Sequence, residues 1–143
     1  MIAVDTNVLV YAHRADSPFH PQARDALKAF AESPIAWAIP WTCLHEFYAV
    51  VTHPRMYAPP STPRQALKQI EAWAASPSLV LLSETTDHVA ILQRLAVQAR
   101  CTGSQIHDAR IAANCLGHGV DEILTLDRDF ARFPELRTRS LLS

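Results

Sequence analysis

Four short apolar runs, at residues 2–4, 35–39, 79–82 and 123–126, are separated by stretches of helix length whose apolar residues recur at intervals of three and four. Runs this short suit buried strands, and a strand that pairs in parallel with the next needs a crossover about as long as a helix. The alternation therefore predicts an α/β fold, with a parallel sheet covered by helices on both faces. A last strand of alternating character is expected at residues 137–142. With 143 residues the chain suffices for one buried core, so one domain over 1–143 is expected.

Between the strands, Asp5-Thr6-Asn7 supplies three helix-capping residue types directly after the first apolar run, which predicts a strand-to-helix turn. Further helices are expected at 21–32, at 41–52, from Thr62-Pro63 to Ala75, at 86–100, and from a Ser104 cap to Leu116, where Gly117 and Gly119 stop the chain's helical run. In the 41–52 helix, Cys43, Leu44, Phe47, Tyr48, Ala49, Val50 and Val51 point in nearly every direction, which predicts burial of the whole element. Pro54, Pro59, Pro60 and Pro63 make residues 53–63 an irregular loop, expected to be the most mobile part of the chain, and 127–134 reads as a polar turn.

The net charge of −1 excludes a global field for polyanions, so any nucleic acid must be met by a local patch. Eleven of the 13 basic residues are arginine, the better bidentate partner for phosphate. Cys43, Cys101 and Cys115 form no CxxC pair and read as small core residues of a reducing cytosol. Without a signal peptide or an apolar stretch near the ~18 residues of a membrane span, the expectation is a cytoplasmic protein with no membrane partner.

Acidic residues stand at the junctions of this pattern: Asp5 after the first strand, Glu46 in the apolar helix, Asp108 in a helix's first turns, and Asp127 after the fourth strand. Each has a structural alternative. Asp5 can be a helix cap, unless Thr6 or Asn7 caps instead and leaves it facing the carboxyl edge of the sheet, where open α/β folds bind ligands. Glu46 is either a buried, hydrogen-bonded carboxylate or a cation's partner. Asp108 gains from the helix dipole where it is, and Asp127 suits a tight turn in which Asp129 can exchange roles with it. Asp127 ranks first, being nearer the strand end. Together, carboxylates ~4 Å apart repel by about 1 kcal/mol in water and about 4 at a dielectric of 20, so a hard dication such as Mg²⁺ or Mn²⁺ is the fitting companion. Asp5 and Asp108 are the candidate direct ligands.

Val4-Asp5-Thr6-Asn7-Val8-Leu9, the Glu on the next apolar helix, His107-Asp108-Ala109-Arg110-Ile111-Ala112-Ala113 and Thr125-Leu126-Asp127-Arg128-Asp129-Phe130 together resemble the PIN-domain ribonucleases, in particular the VapC-type toxins of bacterial toxin-antitoxin modules. The resemblance covers essentially the whole chain. It implies a PIN-like three-layer α/β/α fold with about five parallel strands, a Mg²⁺ or Mn²⁺ site, and endonucleolytic RNA cleavage by metal-activated water that leaves a 5′-phosphate and a 3′-hydroxyl. It assigns the acidic quartet to Asp5, Glu46, Asp108 and Asp127, with Asn7 hydrogen-bonding to position the acids and Thr125 lining the pocket. It also implies a homodimer and a VapB-type antitoxin partner.

Arg14, Arg110, Arg128 and Arg132 are candidates for gripping RNA phosphates, the alternative being solvated surface charge. His45 and His107 each precede an acid, but Ala49 stands where an HExxH zinc site needs its second His. Phe47, Tyr48, Ile70 and Trp73 read as core, or else as an antitoxin groove or dimer contact. Two rival functions remain: a catalytically idle PIN-like module that binds RNA or protein, and an aspartate-based phosphoryl-transfer domain. The latter needs a lysine after a late strand, and the chain has only Lys28 and Lys68.

Overall fold

In the computed structural model, which describes residues 1–142, the apolar run Ile2–Val4 becomes β1 at the centre of a five-stranded parallel sheet. Trp37–Pro40 (β2) and Leu79–Leu82 (β3) lie to one side, Glu122–Thr125 (β4) and Arg137–Ser140 (β5) to the other, in the order β3-β2-β1-β4-β5. Register is fixed by the apolar pairs Ala3 with Ala38 and Ile123, and Val4 with Leu124, all essentially without solvent contact.

The helices are Thr6–His13 (α1), His20–Glu32 (α2), Trp41–Val51 (α3), Pro63–Ala74 (α4), His88–Gln98 (α5) and Ile106–Gly117 (α6), with 3₁₀ turns at Gly103–Gln105 and Arg128–Arg132. Parallel crossovers are right-handed. The moves from β1 to β2 and from β2 to β3 go the same way along the sheet, so α1 to α4 share one face. The return from β3 to β4 runs the other way and puts α5 and α6 on the opposite face. Packing follows suit: α1 rests on α2 and α3, α3 on α4, and α5 on α6. The expected α/β/α layering and strand count are those observed.

Several local expectations are corrected. β2 begins at Trp37, because Ile35 is held in a turn by Ser33 Oγ and is 71% exposed. β4 is displaced by one residue from the expected 123–126 and ends at Thr125. In α3, Trp41, His45 and Ala49, spaced by four, form a solvent stripe, so the helix is buried on one side only, through Cys43, Leu44, Phe47 and Val51. Asp87 occupies the N-cap of α5, which ends at Gln98 before Arg100 turns to φ +52. Thr102 and Gln105 form a reciprocal capping box, so Thr102 rather than Ser104 is the capping side chain. Gly117 is the last helical residue of α6, and the chain leaves it through Gly119 at φ +74, a conformation costly for other residues. The supposed polar turn at 127–134 carries Phe130 and Phe133 into the core.

The proline-bearing loop expected to be the most mobile is fastened instead. Ser61 donates its N–H to the Val51 carbonyl at 2.8 Å, and its hydroxyl meets His13 Nε2 at 3.0 Å. Arg14 lies 4.4 Å over the Tyr57 ring and donates to the Pro59 carbonyl. Phe47 is fully buried against Trp73, with ring centroids 5.0 Å apart, and Tyr48 and Ile70 pack on the same core, so these residues serve packing. No helix among the described residues is long and apolar enough to cross a membrane.

Candidate metal centre

Strand order reverses between β1 and β4, so the connections leaving their carboxyl ends diverge to opposite faces and open a crevice there. Asp5 follows β1 directly, and Asp127 stands two residues beyond the end of β4. Glu46 on α3 and Asp108 in the first turn of α6 reach the same place. A cavity of about 310 Å³ is lined by Asp5, Asn7, Glu46, Asp108 and Asp127 together. Four acids far apart in sequence are thus brought to one crevice.

Hydrogen bonds lock the walls of this pocket. Asp5 Oδ1 accepts from the Thr6 N–H at 2.8 Å and so caps α1, while its Oδ2 accepts from the Thr125 hydroxyl at 2.8 Å. The expectation that Asp5 must be relieved of capping in order to face the pocket is therefore corrected, because it does both. Thr125 Oγ1 accepts in turn from the Asp127 N–H at 2.9 Å, so one buried hydroxyl ties the β1 acid to the loop after β4.

Thr6 donates its hydroxyl to Glu46 Oε2 at 2.9 Å. The positioning bond expected from Asn7 is thus supplied by Thr6. Asn7 is exposed on the pocket rim and makes no side-chain hydrogen bond to an acid among the described residues. Sequence reading missed Thr6 because its partner lies 40 residues away. Asp127 Oδ1 accepts from the Asp129 N–H at 2.8 Å and heads the following 3₁₀ turn. That turn brings Asp129 round, so that ligand oxygens of Asp108, Asp127 and Asp129 all lie within 4.8 Å of one another. Asp129 is exposed, whereas Asp127 lines the cavity.

Burial is the main reason that the Asp5 carboxyl is pushed up from 3.8 to about 6. The bonds from Thr125 and the Thr6 N–H oppose it, and the charges of Asp127 and Glu46 add to it. Asp108 is raised in the same way, by burial and then by Asp127, Asp129 and Glu46, with Arg132 pulling it down. Two thiols lie behind Asp5. Burial and the Asp5 charge keep both neutral, Cys115 being pushed up to about 12. The donor set facing the cavity is therefore all oxygen, anionic and mutually repelling, which fits a hard divalent cation.

Of the four candidate arginines, Arg14 lies at the far end of α1, bound to Asp16 at 2.6 Å, and does not line the pocket. Arg110 is paired with Glu84. Arg128 is exposed beside Asp127, and Arg132 is near enough to Asp108 to act on its charge. His45 stacks on Trp41 at the surface, and neither it nor His107 lines the cavity. A larger cleft of about 620 Å³ lies between His13 and Lys68, but its one acid, Asp16, is neutralised by Arg14.

Residues 2–136 match the family profile described as PIN domain. The chain is 37% identical to ribonuclease VapC43 of Mycobacterium tuberculosis over 139 residues, covering 97% of this chain and 94% of the relative. Among solved structures it is similar in fold to VapBC2 from Rickettsia felis bound to a DNA fragment from their promoter, with a TM-score of 0.71, 18% identity and 98% of each chain covered. It is also similar to VapC20 of Mycobacterium tuberculosis, a sarcin-ricin loop cleaving toxin, with a TM-score of 0.66, 18% identity, and 92% and 93% of the two chains covered.

Proposed function

The chain belongs to the PIN-domain family, and on that premise we propose that it is a Mg²⁺- or Mn²⁺-dependent endoribonuclease, the toxic component of a type II toxin-antitoxin module. It is read as a single PIN domain over residues 1–143. The observation that carries the reading is the convergence of Asp5, Glu46, Asp108 and Asp127, from four separate elements, on one small cavity.

Asp5 and Asp108 are assigned as direct ligands: Asp5 lines the same cavity as Asp108 and Asp127, and oxygens of Asp108, Asp127 and Asp129 lie within 4.8 Å of one another. These oxygens would hold a dication, which would supply a water made nucleophilic at neutral pH and would offset charge on the phosphodiester oxygens. Glu46, fixed by Thr6, and Asp127, fixed by Thr125 and by its own turn, accept hydrogen bonds from water in the pocket and so orient it toward the phosphorus. Asn7 on the rim contacts substrate or water. Arg128 and Arg132, and more distantly Arg110, face the RNA phosphates, whereas Arg14 serves the proline loop. The proposed partners are single-stranded or looped RNA, a VapB-type antitoxin and a second copy of the chain, all in the cytoplasm.

The test is cleavage of end-labelled RNA by the purified chain. Chelation is expected to abolish nicking, Mg²⁺ or Mn²⁺ to restore it, and the new ends to be 5′-phosphate and 3′-hydroxyl. Ends bearing 2′,3′-cyclic phosphate would sink the reading, because they mean attack by the ribose hydroxyl.

A second expectation concerns Thr125. Thr125→Val keeps the shape but removes the donor to Asp5 Oδ2 and the acceptor for the Asp127 N–H. Losing such a supporting contact costs about 10- to 100-fold in metal affinity. The concentration of Mn²⁺ giving half-maximal cleavage should rise by that factor, with an unchanged circular dichroism spectrum. An unaltered metal titration would remove Thr125 from the positioning role.

A further inference from the structure

Beside the acidic cavity, and sharing Asp127 with it, lies a second cleft of about 450 Å³. One wall comes from the edge strand. Side chains alternate along a strand, so Arg137 and Arg139 turn to one side of β5, where they pair with Asp121 and Glu122, while Thr138 and Ser140 turn to the other side and line the cleft. The facing wall is aromatic: Tyr11 on α1 meets Phe19 edge-on, with ring centroids 6.2 Å apart.

Phe19 has φ +59, a left-handed backbone that bulky residues rarely adopt, and 39% of its surface remains exposed. A large ring held in a strained conformation yet left facing solvent is not explained by core packing, and such strain concentrates at ligand-binding sites. Arg128 follows Asp127 in the chain, lines the same cleft, and enters no ion pair among the described residues. Rings, hydroxyls and an unneutralised guanidinium thus border the cavity that holds the acids.

We infer that this cleft receives one unpaired RNA base adjoining the cleaved phosphodiester. The base stacks on the Tyr11 and Phe19 wall, its polar edge meets the hydroxyl face of β5 at Thr138, and the neighbouring phosphate meets Arg128. Splayed bases of single-stranded RNA are bound through this combination of ring faces, hydroxyls and a cationic rim. The inference rests on the endoribonuclease reading and deepens it, placing base preference at a single flanking position on the β5 side of the acids.

The experiment uses RNA oligonucleotides that differ only in the bases on either side of the cleaved bond. They are incubated with the wild type, Tyr11→Leu, Arg128→Ala, Thr138→Val and, as a control on the exposed face of α2, Arg24→Ala. Wild type is expected to favour one base at one flanking position. Tyr11→Leu and Arg128→Ala should raise KM about tenfold, in keeping with the loss of a stacking or phosphate contact. Thr138→Val, on an exposed strand and so no threat to folding, should flatten the base preference, while Arg24→Ala changes neither. If the wild type cleaves and the three cleft variants keep its KM and its preference, the cleft assignment is overturned and the endoribonuclease reading stands. If the wild type cleaves no RNA with either metal, both fall.

Discussion

Asp108→Asn is expected to lower the RNA cleavage rate by about a thousandfold, on the order seen when an electrostatic element of a transition state is removed, while the folded state keeps its stability. The separation of the two effects follows from the environment of the side chain. Asp108 accepts no hydrogen bond among the described residues and is half-buried beside Asp127, Asp129 and Glu46, which with burial raise its carboxyl. Neutralising it relieves that repulsion and forfeits only the helix-dipole gain of about 0.3 to 1 kcal/mol. Single-turnover cleavage and thermal melting of the same preparation measure both quantities. Asp127→Asn should resemble Asp108→Asn in activity, whereas Asp129→Asn, exposed and outside the cavity lining, should lose less than about tenfold. Should Asp108→Asn retain a tenth or more of wild-type activity, Asp108 is not a direct ligand.

The features legible in the sequence were those set by short-range chemistry. Asp5 and Asp127 could be placed at the carboxyl edge because each follows an apolar strand, and in a parallel sheet every strand ends on that edge. Glu46 stood out as the only charge in an apolar helix, though the helix proved to keep a solvent stripe that includes Ala49, an apolar residue that the pattern assigned to the inside. Ile35 misled in the same way, since hydrophobicity alone does not say where backbone partners begin. The bonds from Thr6 to Glu46 and from Thr125 to Asp5 were not legible, because they span 40 and 120 residues and exist only once the sheet has formed. Phe130 and Phe133 were hidden by polar neighbours: Phe130 sits in the 3₁₀ turn and Phe133 caps its end, and both are buried although the residues between them are not. Arg14 is the opposite lesson. A cation near the acids in sequence is spent on Asp16, Tyr57 and Pro59 at the other end of its helix.

Asp5→Asn should abolish cleavage and yet, without metal at pH 7.5, melt above the wild type. The folded-state carboxyl titrates near 6 and the unfolded one near 3.8, so the folded protein holds this proton more tightly. The corresponding stability is fully present below about pH 3.8 and is lost as pH rises through about 6; with Asp5 only 4% exposed, the loss is roughly 3 kcal/mol at neutral pH. Asparagine caps a helix as well as aspartate does, so the bond from the Thr6 N–H survives, and the altered contact with Thr125 costs only about 1 kcal/mol. In chelator, the wild type should therefore lose stability between pH 4 and 6 more steeply than Asp5→Asn, the difference between the two isolating Asp5 from Asp108, which shifts in the same direction. Adding Mn²⁺ should reverse the order at pH 7.5, because a ligand that binds the folded wild type stabilises it, and the variant offers one carboxylate fewer. A variant that melts below the wild type in chelator, with the same pH dependence, would show that the buried charge is not a burden. The metal would then have no unfavourable field to relieve, and the physical reason for four acids at this junction would have to be sought elsewhere.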